Sequence, residues 1–219
     1  MAEKTFPLYV FDAYGTLFDV HSAVARHRGL VGEQAERLSE IWRVKQLEYT
    51  WTRSLMGAYR DFDALTAEAL DFAAARCGGL SAEACEKLLD AYRTLDAFPD
   101  AAPALRRLRE RGAKAVILSN GAPATLARAV AAAGLRDLLD ESLSADSVIR
   151  FKTAAEVYAL VGARYGTTPE QVSFQSSNRW DIAGAAQFGF NTVWINRAGA
   201  PDEYRDLPPA RVISSLASL

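Results

Sequence analysis

The chain has 219 residues, half of them hydrophobic, which is enough for one sizeable core or for a core with a small appended domain. It carries 25 lysines and arginines against 27 acidic residues, so it lacks the basic excess of a general nucleic-acid binder. No stretch is long and apolar enough to span a bilayer, and residues 1–5 lack the features of a signal peptide. Cys77 and Cys85 are expected to be free thiols. These features predict a cytoplasmic protein without a nucleic-acid or membrane partner.

The chain opens with a strand and continues into a long helical stretch. Residues 8–11 are apolar and predict a buried strand, which delivers Asp12 into a glycine-containing loop. Residues 20–97 contain no convincing strand, and their apolar side chains recur at helix-like spacing. They are expected to form a small helical domain inserted after the first strand and its loop. The predicted division is a core of residues 1–19 and 98–219, with a helical cap of residues 20–97.

Strands and helices alternate in the rest of the chain. Three further apolar segments predict buried strands, at residues 115–118, 172–174 and 192–195. Helix starts are indicated by Asp100, by Pro123 and by residues 168–170, and the first two helices are expected to end at Gly112 and Gly134. This alternation predicts an α/β fold with a doubly wound, mainly parallel sheet.

Polar side chains follow the predicted strands. Asp12 follows the first strand, Ser119 and Asn120 follow the second, and residues 176–181 follow the third. Ligands bind beyond the carboxyl ends of the strands in open parallel sheets, so the three loops are expected to face one site. Lys152 lies in an irregular stretch before a predicted helix, from which its side chain can reach the same site.

These four segments together resemble the haloacid dehalogenase superfamily of Rossmann-like hydrolases. On that resemblance Asp12 is the nucleophile, Ser119 the second-motif hydroxyl, Lys152 the third-motif lysine and Asp181 the fourth-motif acid. The chain is most similar to the L-2-haloacid dehalogenases within that superfamily, and the likeness rests on residues 11–20, 42–49, 54–57 and 176–181. The resemblance spans nearly the whole chain and includes the helical cap.

Tyr14 stands where phosphate-handling relatives of the first loop carry a second acid, which protonates the leaving group. A halide leaves as a stable anion and needs no proton, so a loop with Asp12 and Tyr14 suits dehalogenation. The loop of residues 176–181 offers Asp181 as its single acid, so the site is short of the carboxylates that Mg²⁺ prefers. We therefore expect a metal-free enzyme that needs no cofactor.

The two cationic candidates have different assignments. The resemblance implies that Arg43, in the cap, accepts the departing halide, which needs a cationic or donor-rich cradle. The alternative for Arg43 is a surface arginine on an exposed helix face. Lys152 can hold Asp12 ionised, because a nearby cation favours the carboxylate, or it can bind the substrate carboxylate or the oxygen that develops on the ester.

The loop of residues 176–181 and the helix after Lys152 carry the residues expected to hydrolyse the aspartyl ester. Asn178 and Asp181 are expected to position and activate the water that hydrolyses the ester, with Ser176 in the same catalytic loop. Asp181 can also cap the N-terminus of a helix at residues 182–188. Tyr158 joins the catalytic set because the dehalogenases also have a tyrosine six residues after the lysine; its alternative is packing on the core.

The remaining candidates surround the nucleophile. Thr16 can hydrogen-bond the carboxylate, and Ser119 and Asn120 can donate to a substrate carboxylate or form a simple turn. An apolar wall for the carbon side of the substrate is predicted from Tyr14, Leu47, Phe62 and Trp180. For the two cap residues of that wall, the sequence favours ordinary core packing.

The sequence therefore predicts a hydrolase that converts short (S)-2-haloalkanoic acids to (R)-2-hydroxyalkanoic acids and halide through an aspartyl ester, with inversion at C2. Two alternatives stay open. One is a Mg²⁺-dependent phosphatase or phosphonatase of the same superfamily, and the other is a non-catalytic domain that binds small carboxylates or a protein. The expected partners are the short 2-haloacid and the halide, and the resemblance implies a homodimer.

Overall fold

The computed structural model describes residues 5–219, so the prediction about a signal peptide falls largely outside the described residues. Six strands form one parallel sheet: β1 (Leu8–Phe11), β2 (Lys114–Ser119), β3 (Glu141–Ser144), β4 (Val172–Ser176), β5 (Asn191–Ile195) and β6 (Arg211–Ile213). Their order across the sheet is β3-β2-β1-β4-β5-β6. The predicted α/β fold with a parallel sheet is confirmed.

Strand β1 lies at the point where the strand order reverses. Strands β2 and β3 lie on one side of β1, and strands β4, β5 and β6 lie on the other. Such a reversal leaves a crevice beyond the carboxyl ends of the strands, where ligands bind in sheets of this type. The backbone N–H of Asp12 donates to the carbonyl of Gln175 at 2.9 Å, so Asp12 leaves the sheet between β1 and β4.

The described residues form nine α-helices: α1 (Ser22–Arg26), α2 (Arg28–Val31), α3 (Ala35–Met56), α4 (Phe62–Arg76), α5 (Ala82–Tyr92), α6 (Ala101–Glu110), α7 (Pro123–Ala132), α8 (Ala155–Tyr165) and α9 (Arg179–Phe188). Helices α6 to α9 connect the strands, as alternation of strands and helices requires. Helices α1 to α5 form the helical insertion between β1 and α6. None of the described helices is long and apolar enough to cross a membrane.

The helical insertion is built around α3 and α4, which pack along each other. The indole N–H of Trp42 donates to the carbonyl of Thr66 at 2.8 Å and locks the two helices together. The chain leaves and rejoins the sheet at neighbouring points, because Asp19 N bonds Asp96 O at 2.8 Å and Phe98 N bonds Leu17 O at 2.9 Å. The insertion is therefore fixed to the loop that follows β1.

Strands β3 and β6 were not predicted. They are the two edges of the sheet, and each pairs with one neighbour only. Strand β3 contains Glu141, Ser142 and Ser144, so it lacks the continuous apolar run of a buried strand. Strand β6 has three residues and exposes Val212. Edge strands that are short and partly polar carry no strong sequence signal.

Two helix-start predictions were wrong in detail. Residues 168–170 begin only a short 3₁₀ turn, Pro169–Gln171, because Val172 immediately starts the buried strand β4. Asp181 does not cap a helix that starts at residue 182. Helix α9 begins at Arg179, so Asp181 lies inside its first turn and its side chain is turned to the site.

The side chain of Asp100 precedes α6 as predicted, but it makes no capping hydrogen bond. Its carboxylate instead accepts two bonds from Arg197, at 2.7 and 2.9 Å. It also accepts from the hydroxyl of Ser215 at 2.6 Å and from the N–H of Leu216 at 2.8 Å. One carboxylate therefore ties the C-terminal segment to α6 and to the end of β5.

We expect Asp100→Asn to lower the free energy of unfolding at pH 7 by about 2–4 kcal/mol, because it leaves a half-buried guanidinium without its carboxylate. The measurement is urea denaturation. Asp90→Asn is the control, since Asp90 pairs with Arg128 at the exposed surface, and its loss should cost under about 1 kcal/mol.

The same pair of proteins gives a pH test. Burial acts to raise the pKa of Asp100, but the bonds from Arg197, Ser215 and Leu216 more than offset it and hold the pKa below its usual value. A carboxyl with a lowered folded-state pKa stabilises above its unfolded pKa, and the contribution is lost as the pH falls. The difference between wild type and Asp100→Asn should therefore shrink on acidification; a constant difference would contradict this account.

Candidate active site

The ammonium of Lys152 joins two carboxylates at the carboxyl edge of the sheet. Its Nζ lies 3.0 Å from Asp12 Oδ1 and 2.9 Å from Asp181 Oδ2. All three side chains are almost fully enclosed, with 7 %, 1 % and 0 % of Asp12, Lys152 and Asp181 exposed. The structure thus brings together residues from β1, from the segment before α8 and from α9, which are far apart in the sequence.

The remaining oxygens of the two carboxylates also have donors. Asp12 Oδ2 accepts from the Thr16 hydroxyl at 3.0 Å and from the Asn178 amide at 2.8 Å. Asp181 Oδ1 accepts from the Tyr158 hydroxyl at 2.8 Å. Each carboxylate oxygen therefore has a defined partner, and the orientation of both groups is fixed.

Burial and charge oppose each other in this cluster. Burial alone would lower the pKa of Lys152, but the charges of Asp12 and Asp181 and their hydrogen bonds raise it above its ordinary value. Burial raises the pKa of Asp181, and neither the Lys152 charge nor the Tyr158 hydrogen bond fully offsets that effect. Burial also raises the pKa of Tyr158 well above its usual value. Lys152 therefore stays protonated, and Tyr158 stays a neutral hydrogen-bond donor.

Two glycines allow close approaches that a side chain would prevent. A Cβ added to Gly184 would lie 2.6 Å from the hydroxyl oxygen of Tyr158. A Cβ added to Gly121 would lie 2.8 Å from the hydroxyl oxygen of Tyr14. Both distances are too short for real contacts, so these glycines let the two tyrosines take their positions. Neither glycine was predicted, because the requirement arises only from packing between distant segments.

The polar residues after β2 and β4 mainly fix backbone. Ser119 Oγ accepts from Gly121 N at 3.1 Å, as expected for a turn. Asn120 Oδ1 accepts from the backbone N–H of Lys152 at 2.9 Å and so positions the segment that carries the lysine. Ser176 Oγ accepts from Asn178 N at 3.1 Å. These bonds hold the three loops in register around Asp12.

The cap brings Arg43 to the same loops. Helix α3 carries Arg43, whose guanidinium donates to the carbonyl of Tyr14 at 3.2 Å and to Asn178 Oδ1 at 3.3 Å. The alternative of an exposed surface arginine does not describe this side chain, which is partly buried against the core. A cation from the cap therefore lies beside the nucleophile loop.

A small cavity of about 10 Å³, room for about one water molecule, adjoins the Asp12 carboxylate. All of its lining residues were predicted site residues, namely Asp12, Tyr14, Arg43, Leu47, Phe62, Asn120 and Trp180. Leu47 and Phe62 thus line the cavity, although the sequence favoured ordinary cap packing for both. Its lining, with an apolar side and a cationic end, suits a small organic anion once the wall opens.

A set of side-chain contacts behind the wall of the cavity was not predicted. The ring of Tyr92 stacks on Tyr14, with centroids 5.6 Å apart. The hydroxyl of Tyr92 donates to Gln46 Oε1 at 3.3 Å, and Gln46 Nε2 donates to Thr66 Oγ1 at 3.0 Å. Tyr92 fits the apolar helix pattern and so looked like core. The burial of Gln46, whose amide therefore needs polar partners, appears only in the folded structure and was no signal in the sequence.

The donor set does not fit a Mg²⁺ site. The two carboxylates that meet here, Asp12 and Asp181, both contact the ammonium of Lys152. Within residues 5–219 no group of three or more histidine, cysteine, aspartate or glutamate side chains is arranged to hold a metal ion. Mg²⁺ prefers several oxygen ligands in octahedral geometry, and a cation already occupies the space between these carboxylates.

Comparison with known proteins agrees with this geometry. A family model described as haloacid dehalogenase-like hydrolase matches residues 6–189. The chain is 48% identical over 211 residues to (S)-2-haloacid dehalogenase 1 from Pseudomonas sp. (strain CBS-3), covering 96% of this chain and 93% of that protein.

Solved structures show the same relationship. A dehalogenase crystal structure superposes with a TM-score of 0.96 at 46% identity, covering 99% of this chain and 96% of the other. The L-2-haloacid dehalogenase from Xanthobacter autotrophicus with chloropropionic acid covalently bound has a TM-score of 0.89 at 36% identity, covering 98% and 96% of the two chains. With its parallel sheet, its helical insertion and the Asp12–Lys152–Asp181 cluster, the chain belongs to the haloacid dehalogenase-like hydrolases.

Proposed function

We propose that this enzyme hydrolyses short (S)-2-haloalkanoic acids to (R)-2-hydroxyalkanoic acids and halide. The observation that carries the proposal is the enclosed Asp12 carboxylate, fixed by Lys152, Thr16 and Asn178 at the wall of a small cavity beneath Arg43. The names of its relatives, which are (S)-2-haloacid dehalogenases, support the same substrate class.

In the first step, a carboxylate oxygen of Asp12 attacks C2 of the substrate from the side opposite the halogen. The new C–O bond forms an ester as the carbon–halogen bond breaks, and C2 is inverted. The halide leaves with the bonding electrons toward Arg43. Ser119 and Asn120 hold the substrate carboxylate, while Tyr14, Leu47, Phe62 and Trp180 enclose its carbon side.

In the second step, water attacks the carboxyl carbon of the Asp12 ester. Asp181 takes the proton from that water, and Asn178 orients it. Lys152 stabilises the oxyanion that forms on the ester, and Tyr158 holds Asp181 in position. The bond between the Asp12 carboxyl carbon and the ester oxygen breaks, and the hydroxy acid leaves with the proton that Asp181 took from the water. The C2–O bond stays intact, so the inversion of the first step is kept. No metal ion or cofactor takes part in either step.

The catalytic core and the cap contribute different residues to the proposed site. We place the catalytic core in residues 98–219 together with the described part of residues 1–19, and the cap in residues 20–97. The cap carries Arg43, Leu47 and Phe62 to a nucleophile that belongs to the core. Closure of the cap against the core thus completes the halide and substrate sites and excludes bulk water.

We further propose a homodimer in the cytoplasm. Helix α3 exposes Val44 and Leu55, which lie eleven residues apart on one helix face with 59% and 88% of their surfaces accessible, and Met56 beside them is 66% accessible. Two large exposed apolar side chains on one helix face, with a third beside them, support a protein contact there. The two cysteines are free and lie in the cap, which fits a reducing compartment.

A single turnover of (S)-2-chloropropionate in ¹⁸O-water with EDTA tests the chemistry. The product should carry no ¹⁸O, and one ¹⁸O should appear in the peptide that contains Asp12, as read by mass spectrometry. The (R)-enantiomer should release no halide. A labelled product with unlabelled Asp12 would contradict the ester, and loss of halide release in EDTA with phosphatase activity in Mg²⁺ would favour the metal-dependent alternative.

Replacement of Tyr158 tests the base. The Tyr158 hydrogen bond lowers the pKa of Asp181, so Tyr158→Phe should raise that pKa. Asp181 must be ionised to take a proton, and therefore the acid limb of ester hydrolysis should move upward by about one pH unit. Rapid-quench measurement from pH 4 to 8 reads the shift. Tyr165→Phe on the same helix loses only a bond to Glu141 and should leave the profile unchanged.

A charged side chain placed on the proposed contact face of α3 tests the dimer. Leu55→Glu should convert a dimer into monomers of 23.9 kDa in analytical ultracentrifugation at micromolar concentration, because the glutamate would be buried without a partner. Val212→Glu places the same charge at another exposed apolar position, on the edge strand β6, and should leave the dimer intact. A wild-type chain that sediments as a monomer would contradict the proposal.

A further inference from the structure

The catalytic cavity is small and its reactive groups are enclosed. The whole cavity is about 10 Å³, and the Asp12 side chain is 7% exposed. A substrate must therefore displace part of the wall to reach the nucleophile. The same holds for the halide and the hydroxy acid when they leave.

A larger cleft of about 620 Å³ lies against one side of this cavity. Helix α3 runs past both spaces. Arg43 and Leu47 line the cavity, and Trp51 lines the cleft. These residues follow one another at intervals of four, so they lie along one face of the helix. Trp180 lines both spaces and is thus the partition between them.

The ring of Trp180 is held by packing alone. Its Nε1 is buried and has no hydrogen-bond partner among the described residues. The ring meets Trp51 edge to face, with centroids 5.4 Å apart. Other walls of the cavity are held by hydrogen bonds: Arg43 to Tyr14 and Asn178, and the Asn120 side chain to the backbone of Lys152. Rotation of Trp180 therefore breaks no side-chain hydrogen bond, and the cleft has room for the displaced ring.

The far wall of the cleft is fixed. Arg179, next to Trp180 in α9, donates to the carbonyls of Tyr204 and Leu207 at 2.9 and 3.0 Å and to the carboxylate of Asp202 at 2.7 Å. These bonds hold the loop that carries Tyr204 and Leu207, which line the cleft. One wall is therefore rigid and the partition is free to turn. The cleft lining contains no acidic side chain, so an anion can pass without repulsion.

We propose that this cleft is the route by which the 2-haloacid reaches Asp12 and the products leave, and that Trp180 is its movable wall. The proposal rests on the proposed function. It assigns to Trp180 a role in access in addition to its contact with the substrate.

The test blocks the cleft at a residue outside the catalytic site. In a parent chain with Cys77→Ser and Cys85→Ser, Gln187→Cys places one thiol on α9 at the exposed lining of the cleft. Methyl methanethiosulfonate adds a small group, and dansylaminoethyl methanethiosulfonate adds a bulky one. The bulky label should lower kcat/KM for (S)-2-chloropropionate at least ten-fold, the small label less than two-fold, and dithiothreitol should restore the parent value.

Two controls make the result specific. Leu207→Cys, on the opposite wall, should respond to the labels as Gln187→Cys does. Glu110→Cys, at the end of α6 before β2 and so at the opposite edge of the sheet, should be insensitive to both labels. A partial block should also reduce kcat/KM for (S)-2-chlorobutanoate more than for chloroacetate, because the larger substrate needs the wider path.

The outcomes separate the route from the chemistry. A parent chain that releases no halide contradicts the proposed function and the route together. An active parent whose fully labelled Gln187→Cys and Leu207→Cys forms keep kcat/KM within two-fold of the parent overturns the route alone. Equal loss from the bulky label at Glu110→Cys would show a general effect of labelling and would also overturn it.

Discussion

The site depends on one buried ammonium held between two buried carboxylates. The positive charge of Lys152 reduces the net charge of the cluster from two negative charges to one. Without this ammonium, Asp12 and Asp181 would repel each other in a low-dielectric interior. Removing one partner of such a group costs about 3–5 kcal/mol, because the remaining charge has no compensation. The rest of the site is arranged so that each of these charges has a partner: Thr16 and Asn178 donate to Asp12, Tyr158 donates to Asp181, and Lys152 Nζ also lies 5.1 Å from the face of Phe174.

The topology of the sheet makes that arrangement possible. Asp12 directly follows the central strand β1, and the loop after β4 emerges beside it, so Asn178 and Asp181 lie on one side of the nucleophile. Lys152 comes from outside the sheet, and its backbone is fixed by Asn120, which follows β2. The nucleophile, its counter-ion and the base therefore come from separate segments that only the folded sheet brings together. Arg43 adds the cap to this network through Tyr14 and Asn178.

Much of this could be predicted because parallel sheets place their polar loops at one edge. The apolar runs identified β1, β2, β4 and β5, and residues that follow the first three of these strands meet at Lys152. The edge strands β3 and β6 escaped prediction because one-sided pairing does not demand a continuous apolar run. Asp181 was expected at the site, but its additional reading as a helix cap was wrong, because its carboxylate oxygens accept from Lys152 and Tyr158. Tyr92 and Gln46 escaped notice because their contacts with Tyr14 and Thr66 link separate helices and exist only after the cap has packed.

Tyr14 shows why the cluster fits a leaving group that needs no proton. Its ring is packed between Phe62 and Tyr92, with centroids 5.3 and 5.6 Å away, and its hydroxyl is buried without a hydrogen-bond partner within residues 5–219. Burial raises the pKa of this hydroxyl well above its usual value, so it does not release a proton at working pH. Tyr158 is a poor proton donor for the same reason, and Lys152 is held protonated by the two carboxylates beside it. These nearby donors stabilise charge and keep their protons, which agrees with departure of a halide in the first step.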